Sequence, residues 1–320
     1  MNPRVVDPSV PFLERHGVVI LDGGFATELE RRGQDLRDTL WSAKLLIDNP
    51  APVGELHYDY FMAGADVGTS ASYQATFEGF GARGLSGAES AGLLRLSVRL
   101  VEKARDRCMA KEPRRLRPLV AASLGCYGAF LANGAEYHGN YGVSEDDLLR
   151  FHRPRLEVLA ETGADLLAFE SIPCLDEAKA IARLLEEIDH KPAWVSFCCR
   201  DEREVSHGET LVECVQALES CDAVIAVGIN CTAPHFIAPL LQSLQGRTRK
   251  RRVVYPNRGE RWDANERRWH GPQESPCWYQ DAPAWNKAGA DWIGGCCRTT
   301  PEDIARLGAM LRGRNTSRMS

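Results

Sequence analysis

Short apolar runs recur along the chain at fairly even spacing, and eight of them have the length and composition of strands. They are residues 18–21, 65–71, 119–124, 165–169, 193–197, 223–229, 252–255 and 291–293. Most are nearly continuous in apolar residues, which is typical of strands covered on both faces of a parallel sheet. Segments with helical spacing lie between them, at 89–109, 145–161, 176–188 and 302–311. The pattern therefore predicts strands that alternate with helices.

A repeated tripeptide supports this prediction. Gly-Ala-Asp begins at residues 64, 163 and 289, each time at a junction from a helix into a strand, where a left-handed glycine would end the helix. Eight strands in 320 residues without a Pro/Ser-rich linker predict a single (β/α)8 TIM barrel. We expect one domain over residues 1–320, with its core at about 12–313, rather than two doubly wound domains. Neither a G-x-G-x-x-G nor a P-loop motif supports the latter.

The charge and cysteine content narrow the class of partner. The chain has 39 Lys+Arg against 44 Asp+Glu, a net charge of −5, which argues against nucleic acid or an anionic membrane as the main partner. No 18 apolar residues run together and the first residues do not resemble a signal peptide, so we expect a cytoplasmic protein. Eleven cysteines would there be buried thiols, metal ligands or reactive groups. Small molecules remain as the expected partners, and no pattern indicates an oligomeric state.

Two basic runs, residues 114–117 and 247–252, precede predicted strands. A parallel barrel places such positions at its amino-terminal face, so we expect solvated turns there rather than a nucleic-acid site.

Catalytic residues of such barrels follow the strands, at the carboxyl-terminal face. The corresponding positions are polar or sulfur-rich in this chain. Those that we single out are Asp22, Gly23, Gly24, Ser70, Glu170, Asn230, Cys231, Cys296 and Cys297.

Three of these thiols suggest a metal. Cys231 follows the sixth strand, and Cys296 and Cys297 follow the eighth after two glycines that permit an irregular turn. Three converging sulfurs describe a zinc site with one open position. The alternative is that these cysteines pack as small hydrophobic residues. Cys126 and the pair Cys198-Cys199 follow other strands, and we expect them to line or support the site.

Several segments together resemble the homocysteine S-methyltransferase family. The resemblance is carried by 21–27 (LDGGFAT), 72–76 (SYQAT), 136–141 (EYHGNY), 151–153 (FHR), 169–173 (FESIP), 228–231 (GINC), 255–257 (YPN) and 294–301 (GGCCRTTP). It runs from the first strand to the last helix and favours the branch that uses S-methylmethionine or S-adenosylmethionine over the betaine branch.

The resemblance implies a zinc-dependent barrel whose metal ligands are Cys231, Cys296 and Cys297. It implies transfer of a methyl group to L-homocysteine, which binds at Asp22, Gly23, Gly24 and Glu170. We add Ser70 and Asn230 to the predicted substrate-binding residues. Asp22 and Glu170 would hold the substrate ammonium. The N–H groups of the glycine turn would hold the substrate carboxylate. Taken alone, Asp22 could instead cap the following helix and Glu170 could form a structural ion pair.

This chain departs from the family pattern at three positions. Ser70 replaces a usual threonine, Cys126 a usual serine or proline, and Arg258 follows Tyr-Pro-Asn where serine is usual. Arg258 bears on the donor, since a cation there would contact a donor carboxylate or repel a sulfonium.

The implied chemistry needs no protein acid or base, because the leaving group is a neutral thioether. We therefore give His138, His152, His207 and His235 no proton-transfer role. Aromatic rings after strands two and three, at residues 73, 127, 137 and 141, are expected to attract a sulfonium or to pack the loops. Two alternatives stay open, namely a methyltransferase for selenocysteine or another thiol or selenol, and a zinc-dependent thiol-binding barrel without turnover.

Overall fold

Eight parallel strands form a closed barrel. The computed structural model describes residues 5–188, 191–259, 261–263, 268–270 and 278–313. The barrel strands are β1 (Val19–Ile20), β2 (Val67–Thr69), β3 (Leu119–Gly125), β4 (Leu166–Ile172), β5 (Ala193–Phe197), β6 (Val224–Asn230), β7 (Arg251–Tyr255) and β10 (Trp292–Ile293). Their order is β1-β10-β7-β6-β5-β4-β3-β2, and Leu21 pairs with Val67 to close the ring. A separate antiparallel hairpin consists of β8 (Arg261–Asp263) and β9 (Arg268–His270). The predicted (β/α)8 barrel is confirmed.

Helices surround the barrel. They are α1 (Val10–His16), α2 (Phe25–Arg31), α3 (Lys44–Asp48), α4 (Ala51–Met62), α5 (Phe77–Gly81), α6 (Gly87–Lys111), α7 (Tyr127–Leu131), α8 (Glu145–Ala160), α9 (Leu175–Glu187), α10 (Leu211–Ala217), α11 (Pro234–Ser243), α12 (Ala282–Lys287) and α13 (Pro301–Arg312). Three 3₁₀ helices cover Trp41–Ala43, Ala135–Tyr137 and Trp278–Asp281. Capping boxes at Ser86, Ser144, Thr210 and Thr300 start four of the α-helices. Within the described chain, no helix combines the length and the apolar character needed to cross a bilayer.

The Gly-Ala-Asp repeat joins neighbouring strands at their amino-terminal ends. Asp66 accepts a hydrogen bond from the Ile20 N–H at 2.8 Å, and Asp165 accepts one from the Val120 N–H at 2.8 Å. Asp291 accepts one from the Arg252 N–H at 2.9 Å. The predicted left-handed conformation is present at residues 64 and 289 but wrong for residue 163. There, a Cβ would stand 2.1 Å from Glu102 Oε1, the end of a side chain that can move aside.

The barrel interior follows from the two-residue period of its strands. Its buried apolar residues are Phe12, Val19, Leu21, Val67, Leu119, Ala121, Leu166, Ala168, Trp194, Ala226, Val253, Tyr255 and Trp292. Residues between them, such as Ile20 and Val120, pack outward against the helices. In β2, β3 and β4, the next inward-facing position beyond these apolar residues is occupied by Thr69, Ser123 and Glu170, respectively. The apolar filling therefore ends in a polar layer at the carboxyl-terminal face.

The basic runs lie at the amino-terminal ends of β3 and β7, as predicted, but they are not merely solvated turns. Arg115 donates to the carbonyl oxygens of Phe61 and Ala65 and is largely buried. Arg251 lies 3.4 Å from an oxygen of Asp7, and its neighbour Arg252 donates to the Ala288 carbonyl at 3.2 Å. These contacts join the ends of the chain and the helices to the barrel.

Candidate active site and metal centre

A cavity of about 210 Å³ opens at the carboxyl-terminal face of the barrel. Every site residue that the sequence singles out lies around it. Its lining includes Asp22, Gly23, Gly24, Ser70, Glu170, Asn230, Cys231, Cys296 and Cys297. Residues separated by up to 275 positions in the chain therefore meet in one place because all follow barrel strands.

The three cysteines converge at this cavity. The Sγ atom of Cys231 lies 2.7 Å from that of Cys296 and 3.9 Å from that of Cys297, and the latter two are 4.0 Å apart. Cys231 has a positive φ of 48°, so the chain leaves β6 in an irregular turn that directs its sulfur toward the other two. Within the described chain, these three form the group of potential ligand atoms that fits around one metal ion.

Two glycine pairs allow this close approach. A Cβ on Gly24 would lie 2.5 Å from the Cys296 carbonyl oxygen, and one on Gly295 would lie 2.3 Å from Thr299 Oγ1. Thr299 Oγ1 accepts a hydrogen bond from the Gly24 N–H at 2.8 Å and donates to the Cys296 carbonyl at 2.7 Å. The turn after β1 and the turn after β10 therefore pack directly on each other. This contact occupies the Gly24 N–H, which we expected to be available for a substrate carboxylate.

The donor set fits a thiophilic divalent metal. Three thiolates and an open fourth position are a common zinc environment, with sulfurs about 3.8 Å apart for Zn–S bonds of about 2.3 Å. Both separations that involve Cys297 agree with this value, while Cys231 and Cys296 would have to move apart. The pKa of the Cys296 thiol lies well below its usual value because the Cys231 and Cys297 thiols hydrogen-bond to its thiolate. The cluster thus favours a sulfur anion before any metal binds.

Two carboxylates, the buried Asp22 and the half-buried Glu170, face the same cavity. Asp22 accepts hydrogen bonds from the Thr69 N–H at 2.7 Å and the Thr69 hydroxyl at 3.0 Å. Glu170 accepts one from the Ser123 hydroxyl. The helix α2 has Gly24 at its N-cap position, so Asp22 does not cap it. No ion pair to either carboxylate occurs within the part of the chain that the structure describes, so Glu170 does not form the structural ion pair considered above.

A bulge in β4 lies directly beside Glu170, whose inward direction follows from the strand alternation. The register with β5 shifts between Phe169 and Ile172, and Ser171 has a positive φ of 58°. The Asn230 side chain holds this conformation, because its Oδ1 accepts from the Ser171 N–H at 2.8 Å and its Nδ2 donates to the Ser171 hydroxyl at 2.8 Å. Asn230 lines the cavity, but its amide group already serves to hold this bulge.

Burial perturbs both carboxylates strongly. Burial raises the pKa of Asp22 to about 7, against the hydrogen bonds from Thr69 that lower it. Burial likewise raises the pKa of Glu170 to about 8, and the charges of Cys296 and Asp22 add to the rise. A carboxylate pair without a cation stabilises an incoming ammonium group, which would lower both pKa values.

Other predicted residues lie in supporting positions. Ser70 lines the cavity, while its hydroxyl lies 2.7 Å from that of Ser72 and accepts from the Ser123 N–H at 3.1 Å. Cys126 is the N-cap of α7, where its sulfur accepts from the Ala129 N–H at 3.4 Å. Arg258 points to Asp303 at 3.8 Å and does not line the cavity, which removes the basis for its expected effect on the donor.

The predicted aromatic and histidine residues separate into two groups. Tyr73 and Tyr137 line the cavity, whereas Tyr127 and Tyr141 pack edge to face at 5.3 Å. His152 is buried, with Nε2 2.8 Å from Glu177 Oε1, in a supporting network of the kind expected. Cys198 and Cys199 are buried, and Cys277 and Glu260 lie outside the described residues.

Thr69 and Ser123 are functional neighbours that the sequence analysis missed, as are Tyr255 and Glu136. Tyr255 and Glu136 also line the cavity, and the Tyr255 hydroxyl accepts a hydrogen bond from Trp194 Nε1 at 2.9 Å. The signal for Thr69 and Ser123 was present, because a polar residue at an inward position of an apolar strand has to face the cavity.

Comparisons with known proteins agree with this geometry. A model of the family described as "Homocysteine S-methyltransferase" matches residues 19–311. The chain is 47% identical over 315 residues to "Homocysteine S-methyltransferase YbgG" of Bacillus subtilis (strain 168), which covers 98% of this chain and 100% of the relative. It is 46% identical over 319 residues to the "Selenocysteine Se-methyltransferase" of Brassica oleracea var. italica, covering 95% and 91%. The metallated crystal form of the homocysteine methyltransferase MmuM from Escherichia coli superposes with a TM-score of 0.86 at 45% identity, covering 95% of this chain and 100% of that one.

Proposed function

This chain belongs to the homocysteine S-methyltransferase family and transfers a methyl group to L-homocysteine, and we propose that the donor is S-methylmethionine or S-adenosylmethionine and the metal is Zn²⁺. The observation that carries the proposal is the meeting of three thiols and two carboxylates, neither of which forms an ion pair within the described residues, around one cavity. An α-amino acid with a side-chain thiol matches both features. Its sulfur belongs at the cysteines and its ammonium at Asp22 and Glu170.

The three cysteines are the proposed ligands of the metal. Cys231, Cys296 and Cys297 would hold Zn²⁺, which lowers the pKa of a thiol that binds at the open position and so maintains a thiolate at neutral pH. The Escherichia coli relative has a metallated form, which supports the proposal that this chain binds a metal.

The remaining residues bind and orient the acceptor. Asp22 and Glu170 receive its ammonium, Thr69 and Ser123 fix those two carboxylates, and Asn230 fixes the bulge beneath Glu170. Gly23 lies between Asp22 and the start of α2, where its backbone N–H can reach a carboxylate. Ser70, whose hydroxyl is already engaged, would contribute to the shape of the cavity.

The transfer itself balances without a protein acid or base. The acceptor sulfur forms a bond to the donor methyl carbon while the bond from that carbon to the donor sulfonium breaks. The electron pair of the broken bond stays on the donor sulfur, which leaves as a neutral thioether. Because a thiolate and a sulfonium lose their charges together, a cavity that excludes water favours this transition state over the separated ions.

Methionine formation tests the proposal. The purified, reduced, zinc-loaded protein receives L-homocysteine with S-methylmethionine, S-adenosylmethionine or betaine at equal concentration. We expect methionine from a sulfonium donor and none from betaine. Activity with betaine alone would assign the chain to the other branch. Tight homocysteine binding without product from any donor would support the thiol-binding alternative.

Selenocysteine is a second candidate acceptor, favoured by the 46% identity to a selenocysteine Se-methyltransferase. Relative kcat/KM values for homocysteine and selenocysteine with one donor decide between the two. A larger value for selenocysteine would change the proposed acceptor and leave the cavity chemistry unchanged.

We propose a cytoplasmic location and small-molecule partners alone. Ten cysteines of the described residues are free, and a three-thiol metal site survives best where thiols stay reduced. Fractionation of the native cells with an antibody tests the location.

A further inference from the structure

A third carboxylate, Glu136, lines the same cavity, and one of its two oxygens has no hydrogen-bond partner among the described residues. Its Oε2 atom is buried and accepts no hydrogen bond from the described chain. The other two carboxylates differ, because Asp22 is bound by Thr69 and Glu170 by Ser123. A buried acceptor that no protein group satisfies is costly unless a ligand supplies the donor.

The backbone of Glu136 is held firmly in place. It lies on the 3₁₀ helix Ala135–Tyr137, which packs on Gly128 of α7 so closely that a Cβ there would stand 2.4 Å from the Glu136 nitrogen. On the other side, the Cys198 thiol donates to the Glu136 carbonyl oxygen at 2.9 Å. Contacts with two elements thus hold the backbone that carries this carboxylate, but no group in the described chain binds its Oε2 atom.

Two tyrosines connect Glu136 to the sulfur cluster. Burial raises the pKa of Tyr73 and of Tyr137 well above the usual value, and the charges of Cys231 and Glu136 add to the rise in both. Both tyrosines line the same cavity as Glu136 and the three cysteines. Ring faces of this kind attract a sulfonium.

On the premise of the proposed function, we propose that Glu136 binds the α-ammonium group of an amino-acid sulfonium donor, so that the cavity contains a second ammonium site. Asp22 and Glu170 already serve the ammonium of the acceptor. The donor sulfonium would then lie against Tyr73 and Tyr137, facing the cysteines. S-methylmethionine and S-adenosylmethionine both carry the required ammonium, whereas betaine and dimethylsulfonioacetate have no N–H to donate.

The electrostatics of Glu136 agree with this assignment. Burial raises its pKa to about 7. No ion pair to it is found within the described residues, so the ammonium would be the first cation to offset that burial.

The test separates donors that carry an α-ammonium from one that lacks it. Glu136→Gln keeps the size of the side chain and removes its charge. Calorimetry on the zinc-loaded protein measures binding of S-methylmethionine, and initial rates give KM for S-methylmethionine, homocysteine and dimethylsulfonioacetate. We expect the Kd and KM of S-methylmethionine to rise by about 10- to 100-fold, which is about 1.4–2.7 kcal/mol. The KM values of homocysteine and dimethylsulfonioacetate should change less than about threefold.

Glu30→Gln is the matched control, since Glu30 lines the same cavity and the substitution removes the same charge. An equal rise in the S-methylmethionine KM in both variants would overturn the proposal in favour of a general charge effect. A rise in the homocysteine KM of Glu136→Gln would also overturn it, by assigning Glu136 to the acceptor.

Measurements of S-methylmethionine binding and of methionine formation distinguish failure of the second ammonium site from failure of the proposed function. If S-methylmethionine binds the wild type and Glu136→Gln weakens it without any methionine being formed, the second ammonium site stands and the proposed function falls. If methionine forms and Glu136→Gln changes neither the Kd nor the KM of S-methylmethionine, the proposed function stands and the second ammonium site falls. A wild-type protein that neither binds nor uses S-methylmethionine or S-adenosylmethionine would overturn both.

Discussion

Glu170→Gln tests whether the paired carboxylates recognise the acceptor ammonium. The variant keeps the side-chain volume and an oxygen that can accept from the Ser123 hydroxyl. It removes one of the two charges that would meet an ammonium group. A charge-assisted hydrogen bond of this kind contributes about 1.5–3 kcal/mol, so the affinity for L-methionine, the expected product, should fall about 10- to 150-fold.

The pH dependence of that affinity follows from the raised pKa values. Asp22 has a pKa of about 7 and Glu170 of about 8, so below pH 7 both are mostly protonated in the free protein. An ammonium requires at least one of them as an anion, and that carboxyl group has to lose its proton first. Affinity should therefore rise with pH, by about tenfold between pH 6 and pH 8.

Calorimetric titration with L-methionine measures both effects without the acceptor thiol. The control ligand is 4-(methylthio)butanoate, which lacks the amino group and should bind wild type and Glu170→Gln equally weakly. Asp22→Asn should weaken methionine binding in the same way. Unchanged methionine affinity in both variants, or affinity that falls as the pH rises from 6 to 8, would refute the assignment of the ammonium to this pair.

Three further predictions concern the metal, the glycine turns and the core. Cys296→Ala should abolish bound zinc and methionine formation together, while Cys108→Ala, a buried cysteine on α6, should keep both; elemental analysis and the activity assay check this. Gly24→Ala places a Cβ 2.5 Å from the Cys296 carbonyl oxygen and should weaken zinc binding by at least about tenfold, whereas Gly81→Ala meets no atom within 4 Å and should not. Burial lowers the pKa of His57 to about 3 and neither ring nitrogen has a partner, so stability is lost as the pH falls below 6.5. In urea unfolding, the free energy of unfolding of His57→Leu relative to that of wild type should therefore increase by about 2 kcal/mol between pH 7.5 and pH 5. This corresponds to about 1.36 kcal/mol per pH unit below 6.5.

The strands and the position of the three cysteines could be predicted from the sequence for a physical reason. Strands buried on both faces must be almost wholly apolar, and a parallel barrel gathers whatever follows them at one face. Cys231, Cys296 and Cys297 could therefore be assigned to one site without knowledge of a single distance. Their roles as metal ligands stay a prediction until metal is measured.

The contacts within the polar layer were not accessible in the same way. Ser70 was predicted to bind substrate, yet the strand alternation turns the neighbouring Thr69 toward Asp22. Asn230 was predicted to touch substrate, and its amide instead holds the bulge at Ser171. One-residue differences of orientation decide such roles, and a bulge changes orientation without leaving a composition signal.

Glu136 shows a second limit. It lies in an irregular segment after β3, and its place at the cavity depends on the contact of that segment with Gly128 and on the Cys198 thiol. Gly128 lies eight residues before it and Cys198 lies 62 residues after it, so neither contact follows from a helical or strand repeat. The sequence segment 136–141 entered the family resemblance, but only its tyrosines had an expected role and Glu136 had none.

The charges of the cavity bear on donor choice. Arg37 is the one cationic side chain that the structure places in its lining, and it pairs with Asp35 at 2.9 Å, whereas the cavity contains several carboxylates and three sulfurs. Such a cavity attracts any cation, and both a sulfonium and the quaternary nitrogen of betaine are cations. Charge alone therefore does not separate the two donor classes. The separation has to come from groups that require an N–H donor, and the unsatisfied oxygen of Glu136 is such a group. A betaine molecule at the same position would leave that oxygen unpaired, as it is in the free protein, and would lack the hydrogen bond that an ammonium forms, which contributes about 1.5–3 kcal/mol.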